Sequence, residues 1–269
     1  KLDIVMDLNN WHSFLNLYAQ VGYLSKSQIS SNIAVVYSYA LYLIGKYDYK
    51  VKSLELQKVI KKWIFMTTIT AFFSSSTETT VEKILADLRE VKSDKDFVNY
   101  LDSQINNKFT DDFFNVTLPD LFKTSGNQSP AWFGFVASLI VLDVPILFGT
   151  TTLAHFFIPG INGTKKATDK HHIFPKNYLA KQGITDDRTR NQTANFTYLD
   201  YQTNIDIGDA APIEYVSRYK EKLGEYAYNL TLSQNAIPIG FENMSYEEFL
   251  EKRRQLMSNT IKEAFKKIS

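Results

Sequence analysis

The strongest constraint on the fold is the spacing of apolar residues in the first half of the chain. From residue 7 to about 148 they recur at intervals of three and four, as in Trp11, Phe14, Leu15 and Tyr18. Such intervals place side chains on one face of a helix, where they can be buried together. The pattern predicts an all-helical N-terminal region of six or seven helices.

Two helix starts are indicated by capping-box spacing, in which a Ser or Thr precedes a Glu by three residues. Thr79 with Glu82 has this spacing before TVEKILADLREV, and Ser245 with Glu248 has it before the last apolar stripe. The spacing predicts one helix after Thr79 and another from Ser245 to about Lys267. The second helix carries a single apolar stripe, so we expect it to pack back on the body of the protein.

The most apolar segment, AWFGFVASLIVLDVPILFG at residues 131–149, raises the question of a membrane span. Asp143 and Pro145 interrupt it and leave 12 uninterrupted residues. A spanning helix needs about 20. The segment therefore predicts a buried core helix, and we expect no membrane partner.

The pattern changes after this segment. A turn-rich stretch, PGINGTKK at 159–166, precedes two β-like pieces, KHHIF at 170–174 and NFTYLD at 195–200. We expect a short helix at 176–182 between them, and beyond them a short helix, a turn and a helix that starts near Pro212. The predicted order of elements in this region is therefore strand, spacer, strand and helix.

These patterns divide the chain into three parts: a helical region at 1–158, the β, spacer, β, α region at 159–235, and a C-terminal packing helix at 236–269. The predicted fold class is mainly α. A sheet of three or more strands before residue 150 would contradict it.

The composition excludes several kinds of site. The chain has no cysteine, so it has no disulfide, no thiolate metal site and no thiol nucleophile. Any metal must be held by His, Asp, Glu or Asn. The sequence starts without a basic-then-apolar signal segment, and we expect a cytoplasmic protein. The net charge of +1 gives no general argument for nucleic acid as a partner.

Two of the four histidines, His171 and His172, are adjacent. Asn195 follows His172 by 23 residues, and Asn204 follows by nine more. The simplest interpretation of the pair is structural, with one imidazole buried on a hydrogen bond and the other in solvent. A His at the end of one strand, an Asn entering the next and an Asn on the following helix is, however, the layout of the HNH, or ββα-metal, nucleases.

The resemblance extends beyond this layout. HHIFPK followed by RNQTANFTYLDYQTNIDIGDAAPIEYV resembles the C-terminal nuclease region of GmrSD-type phage-defence proteins, closely over residues 169–216 and weakly elsewhere. The resemblance implies a helical N-terminal region, a small ββα-metal core and a C-terminal packing helix. It also implies an upstream ParB-like domain that hydrolyses nucleotides, for which this chain has no counterpart.

The resemblance assigns roles to individual residues. His172 is expected to be the general base that deprotonates water, and the Asn195 amide can hold its ring without shifting the pKa as a carboxylate would. His171 and Asn204 are expected to hold one divalent metal ion. Asn191 is expected to orient the loop through backbone hydrogen bonds, with direct participation as the alternative.

One position departs from the commonest HNH pattern, because His171 lies where many relatives have Asp. Imidazole is a poorer ligand for Mg²⁺ than carboxylate and favours Mn²⁺, Ni²⁺ or Co²⁺. The identity of the metal is left open among these four ions. Neighbouring residues of a regular strand point to opposite faces, so His171 and His172 can share a site only where the strand ends or bulges. Pro175 favours an end nearby.

Local charge favours a polyanionic substrate. Residues 165–190 contain seven basic and three acidic side chains. Lys170, Lys176, Arg188 and Arg190 are expected to contact DNA phosphates, although such a run is often only a solvated surface. No base-reading motif is present, so the sequence does not predict DNA specificity.

The predicted function is a metal-dependent HNH endonuclease that nicks or cleaves DNA as the effector part of a restriction or phage-defence protein. The alternative is a catalytically silent module on the same scaffold that binds DNA or another protein. A ribonuclease with the same site is a third possibility, because a phosphodiester site does not itself inspect the 2′-hydroxyl.

Overall fold

The computed structural model describes residues 2–126, 128–158 and 168–269. The predicted turn at 159–166, with Lys165 and Lys166, lies outside these residues. Within them the chain is mainly helical, with fourteen α-helices and one two-stranded sheet. The predicted fold class is confirmed at this level.

The first eight helices form the N-terminal part: α1 (Leu2–Met6), α2 (Leu8–Gln20), α3 (Asn32–Leu43), α4 (Ser53–Ile69), α5 (Thr77–Glu90), α6 (Asp94–Lys108), α7 (Leu118–Leu121) and α8 (Pro130–Val141). The rest consists of β1 (Thr168–His172), α9 (Lys176–Lys181), α10 (Asp187–Arg190), β2 (Phe196–Asp200), α11 (Tyr201–Ile207), α12 (Pro212–Leu223), α13 (Glu225–Gln234) and α14 (Tyr246–Ile268). Short π-helical turns follow α3 and precede α7.

Helix α4 is the centre of the N-terminal part. Its residues Ile60, Trp63, Ile64, Phe65 and Met66 are fully buried, and it packs on α2, α3, α6, α8 and α14. No strand belongs to a sheet in the described residues before 150, as predicted. Residues 7–148 form seven α-helices, α2 to α8, in agreement with the six or seven predicted, and α1 lies before this range.

The most apolar segment forms α8, in which every residue from Ala131 to Ile140 is buried inside the protein. This confirms the predicted core helix. No helix in the described ranges is long and apolar enough to cross a membrane.

The two capping predictions had different outcomes. Ser245 caps α14, with its Oγ accepting a hydrogen bond from Glu248 N at 3.2 Å. The prediction at Thr79 was wrong, since α5 already begins at Thr77 after Ser76, whose φ of 50° is left-handed. A residue whose side chain caps a helix has extended backbone, and Ser76, the residue before α5, does not.

The two predicted β pieces form an antiparallel ribbon in which His171 pairs with Thr197 and His172 with Phe196. The predicted bounds of the first piece, 170–174, were wrong, because β1 ends at His172 and Ile173 N bonds to the carbonyl of Asn195, which precedes β2. Helix α11 follows β2 directly and packs on both strands. Helix α14 returns to the helical region and packs on α8, α4 and α7, as expected. One of its buried residues, Arg253, donates a hydrogen bond from Nη2 to the Phe196 carbonyl at 2.8 Å.

Two glycines allow a test of close helix packing. Gly22 after α2 and Gly183 after α9 have φ of 88° and 84° and the same pair of C-terminal hydrogen bonds. A Cβ on Gly22 would lie 2.1 Å from the Ala137 carbonyl oxygen of α8, whereas one on Gly183 would meet nothing within 4 Å.

We therefore expect Gly183→Ala to lower the free energy of unfolding by about 1 kcal/mol through backbone strain alone. Gly22→Ala should cost at least about 2 kcal/mol more, because α2 must move away from α8. Urea unfolding of both variants measures the difference. Equal losses would contradict the close approach of α2 to α8.

Candidate active site

Residue Asn195 closes the end of the ribbon. It is fully buried, its Oδ1 accepts from Phe174 N at 2.9 Å, and its Nδ2 donates to the carbonyls of Phe174 at 3.0 Å and Arg190 at 3.1 Å. Its own carbonyl accepts from Ile173 N at 2.8 Å. These bonds turn the chain out of the strand directly after His172, which is the last residue of β1.

The side chain of His172 is half-buried at this point. Its Nε2 lies 2.9 Å from Asn191 Oδ1, and its ring lies against Phe196 with the centroids 4.4 Å apart. An amide oxygen accepts, so Nε2–H is the donor and the lone pair of Nδ1 is left to accept a proton. Asn191 thus selects the tautomer.

Burial lowers the pKa of His172 below its usual value, and the hydrogen bond to Asn191 opposes the shift. The positive charges of Lys176, Lys170 and Arg190 lower this pKa further. The imidazole is therefore neutral near pH 7, which is the state that a general base needs.

The side chain of His171 belongs to the other face of the ribbon, because successive residues of β1 alternate. It is buried, and its Nδ1 lies 2.6 Å from Oδ1 of Asn204 on α11. Asp200 caps the N-terminus of α11, and its carboxylate accepts from Thr203 N at 2.9 Å and from Thr203 Oγ1 at 2.6 Å.

This contact is a hydrogen bond, and its imidazole nitrogen and amide oxygen are also atom types that bind divalent metal ions. The pair supplies two ligands, and water and phosphate oxygens commonly supply the others at such sites. Among the residues that the structure describes, no group of three or more His, Asp or Glu side chains could hold a metal.

The predicted end of the strand near Pro175 is confirmed. It does not bring the two imidazoles onto the same face of the ribbon. His171 faces α11, whereas His172 faces Asn191 and Phe196. The two imidazoles therefore flank the end of the ribbon.

The contacts of the two asparagines are the reverse of those expected. Asn191, not Asn195, holds the His172 ring, and Asn195, not Asn191, orders the loop through backbone bonds. The reason is that Asn195 ends a 3₁₀ turn with its side chain directed into the core, while Asn191 caps the C-terminus of α10 beside His172.

The four predicted phosphate ligands differ in their surroundings. Lys176 and Arg190 both pair with Asp187, at 3.2 Å and 2.9 Å, and Arg188 is exposed. Lys170 is half-buried, and desolvation lowers its pKa to about 8, so that it still carries its charge at pH 7.

Three side chains that hydrogen-bond to backbone carbonyls around the site were not predicted from the sequence. Tyr215 donates to the Ile173 carbonyl at 2.7 Å, Tyr246 donates to Thr189 O at 3.0 Å, and Arg253 bonds to β2. Only Arg253 left a signal, as a charged residue within the apolar stripe of α14.

Comparison of the chain with protein-family models, with curated proteins and with solved structures found no match. The function is therefore inferred from the geometry of the site and the pattern of its residues.

The exchanged asparagines can be tested by stability. Asn195→Ala leaves the buried N–H and C=O of Phe174 without their partner, so we expect it to lower the free energy of unfolding by about 2 kcal/mol or more. Asn191→Ala, the matched control, should cost less than about 1 kcal/mol because its site is partly solvated. Chemical denaturation decides, and a larger loss for Asn191→Ala would contradict these roles.

Proposed function

We propose that the chain is a metal-dependent HNH endonuclease that hydrolyses phosphodiester bonds in DNA, as the effector part of a restriction or phage-defence protein. The observation that carries the proposal is that each of the two adjacent histidines bonds to an asparagine side chain at the end of the ribbon, with Nδ1 of His172 left to accept a proton. These side chains lie on the two faces of the ribbon at its end, His171 with Asn204 on one face and His172 with Asn191 on the other.

In the proposed reaction, water attacks phosphorus and gives its proton to Nδ1 of His172. The phosphorus–oxygen ester bond breaks, which yields a phosphomonoester and an alcohol whose oxygen takes a proton from solvent. His172 can accept the proton because burial keeps it neutral. A divalent cation held by His171 and Asn204 would neutralise charge on the phosphate.

The residue that positions the base in this proposal is Asn191. Its amide oxygen fixes Nε2 as the protonated nitrogen and so leaves Nδ1 as the nitrogen that can accept a proton. A neutral amide does this without the rise in pKa that a carboxylate would cause. Asn195 supports His172 indirectly, through hydrogen bonds to the backbone of Phe174, two residues further along the chain.

DNA is the proposed substrate because basic side chains surround His172. Lys176, Arg188 and Arg190 lie on α9 and α10, next to the Asn191 loop, where they could contact phosphates on either side of the cleaved bond. Such contacts carry no base sequence information. An upstream ParB-like domain would supply any use of nucleotides, as the resemblance implies.

The central prediction concerns His172→Ala. Removal of a general base typically costs about 10² to 10⁴ in rate, so this variant should lose detectable nicking while its melting temperature and DNA affinity change little. Supercoiled-plasmid cleavage, thermal melting and DNA binding measure the three quantities. His12→Ala, on an exposed position of α2, is the control and should cleave normally.

Two comparison variants separate the base from the metal ligands. His171→Ala and Asn204→Ala should require a higher metal concentration for half-maximal cleavage, because each keeps one ligand. Cleavage by His172→Ala within a few-fold of the parent rate would overturn the proposal. Unfolding of His172→Ala would instead mean that the paired histidines are structural.

The metal preference follows from the imidazole at position 171. We expect Mn²⁺, Ni²⁺ or Co²⁺ to support faster plasmid cleavage than Mg²⁺, since Mg²⁺ prefers oxygen ligands. His171→Asp is the matched control and should move the preference toward Mg²⁺. Assays with each metal at saturating concentration give the order, and Mg²⁺ as the best activator of the parent protein would refute the expectation.

A further inference from the structure

Lys170 differs from the other basic residues near the ribbon. It lies two residues before His172 on β1, so both side chains belong to the same face. Its Nζ lies 3.8 Å from the ring centroid of Phe196 and 5.0 Å from that of Trp132. The Phe196 ring also packs on His172, with their centroids 4.4 Å apart. The ammonium and the imidazole are therefore held on one aromatic ring.

Among the side chains that the structure describes, no carboxylate forms an ion pair with Lys170. Lys176 and Arg190, by contrast, share Asp187, so part of their charge is already neutralised. Aromatic faces attract an ammonium without neutralising it, and they restrict its stem to one direction. The charge of Lys170 is thus held in a fixed place and is available to an anion beside His172.

We propose that Lys170 is a further catalytic residue, whose ammonium contacts a non-bridging oxygen of the phosphate that is cleaved. This inference rests on the proposed nuclease function. During attack by water, negative charge grows on these oxygens, and a cation fixed in advance in a partly desolvated site stabilises that charge more than the ground state. Lys170 exchanges no proton and no electrons in this role.

The proposal separates Lys170 from a general contact to the DNA backbone. A backbone contact contributes equally to bound DNA and to the transition state, so its loss weakens affinity. A contact that strengthens only as charge develops affects the rate on DNA that is already bound. The two roles therefore predict opposite effects on affinity and on the single-turnover rate.

The test uses Lys170→Met, which keeps the unbranched stem on Trp132 and Phe196 but removes the charge. We expect the single-turnover rate of plasmid nicking, at saturating protein and metal, to fall about 10²- to 10³-fold. The Kd for duplex DNA, measured without divalent metal at fixed salt, should stay within about three-fold of the parent value. Lys170→Arg, which restores a cation, should recover at least about a tenth of the parent rate.

Two controls define the scale of each measurement. Lys92→Met removes an exposed lysine remote from the ribbon and should change neither the rate nor the Kd. Arg188→Met removes an exposed cation from α10 and should weaken DNA binding and reduce its salt dependence by about one unit of slope. Thermal melting accompanies every variant, and Lys170→Gln replaces Lys170→Met if the latter unfolds at the assay temperature.

The possible failures can be told apart. If His172→Ala is inactive but Lys170→Met nicks DNA within about three-fold of the parent rate, Lys170 is only a packed lysine and the inference is wrong. If Lys170→Met loses affinity and keeps its saturated rate, it is a backbone contact, which also overturns the inference. If His172→Ala itself retains the parent rate, the proposed function fails.

Discussion

The candidate site depends on one buried amide. The bonds from Asn195 to both backbone groups of Phe174 hold the end of β1 against the start of β2, and each of these strands has only five residues. A ribbon of this length is marginal by itself in water. A slip of one residue would move both histidines to the wrong faces. By fixing the turn directly after the pair of His172 and Phe196, Asn195 also fixes the register.

Helices α8 and α14 contact the ribbon, one through an apolar contact and the other through a polar one. Trp132 of α8 stacks on Tyr198 of β2, and Arg253 of α14 donates to the Phe196 carbonyl. Arg253 is fully buried, no carboxylate among the described side chains pairs with it, and desolvation lowers its pKa to about 9. Such a residue costs stability, since its charge is poorly compensated. Its directed bond nevertheless fixes where Phe196 lies, and Phe196 supports the His172 ring.

The long elements and the positions of the candidate site residues could be predicted from the sequence, but the contacts among them could not. Ser245 starts α14 because a cap acts within one turn, and Pro175 indicated that the strand ends near the paired histidines. Which asparagine meets which histidine depends on side-chain direction, so Asn191 and Asn195 exchanged their expected contacts. The burial of Lys170 depends on Trp132, which comes from a distant helix. Local signals determine local structure, whereas packing between distant segments determines the electrostatic surroundings of a site.

In the proposed function, bound DNA would change these surroundings in a way that favours the reaction. In the free protein, burial and the charges of Lys176, Lys170 and Arg190 all lower the pKa of His172, which keeps its imidazole neutral. Phosphates bound to these cations would cancel their effect and bring negative charge near the ring, so the pKa of His172 would rise. A higher pKa makes a neutral imidazole a stronger proton acceptor. In this proposal the same basic residues keep the base unprotonated before DNA arrives and, once neutralised by it, allow the base to take the proton from water.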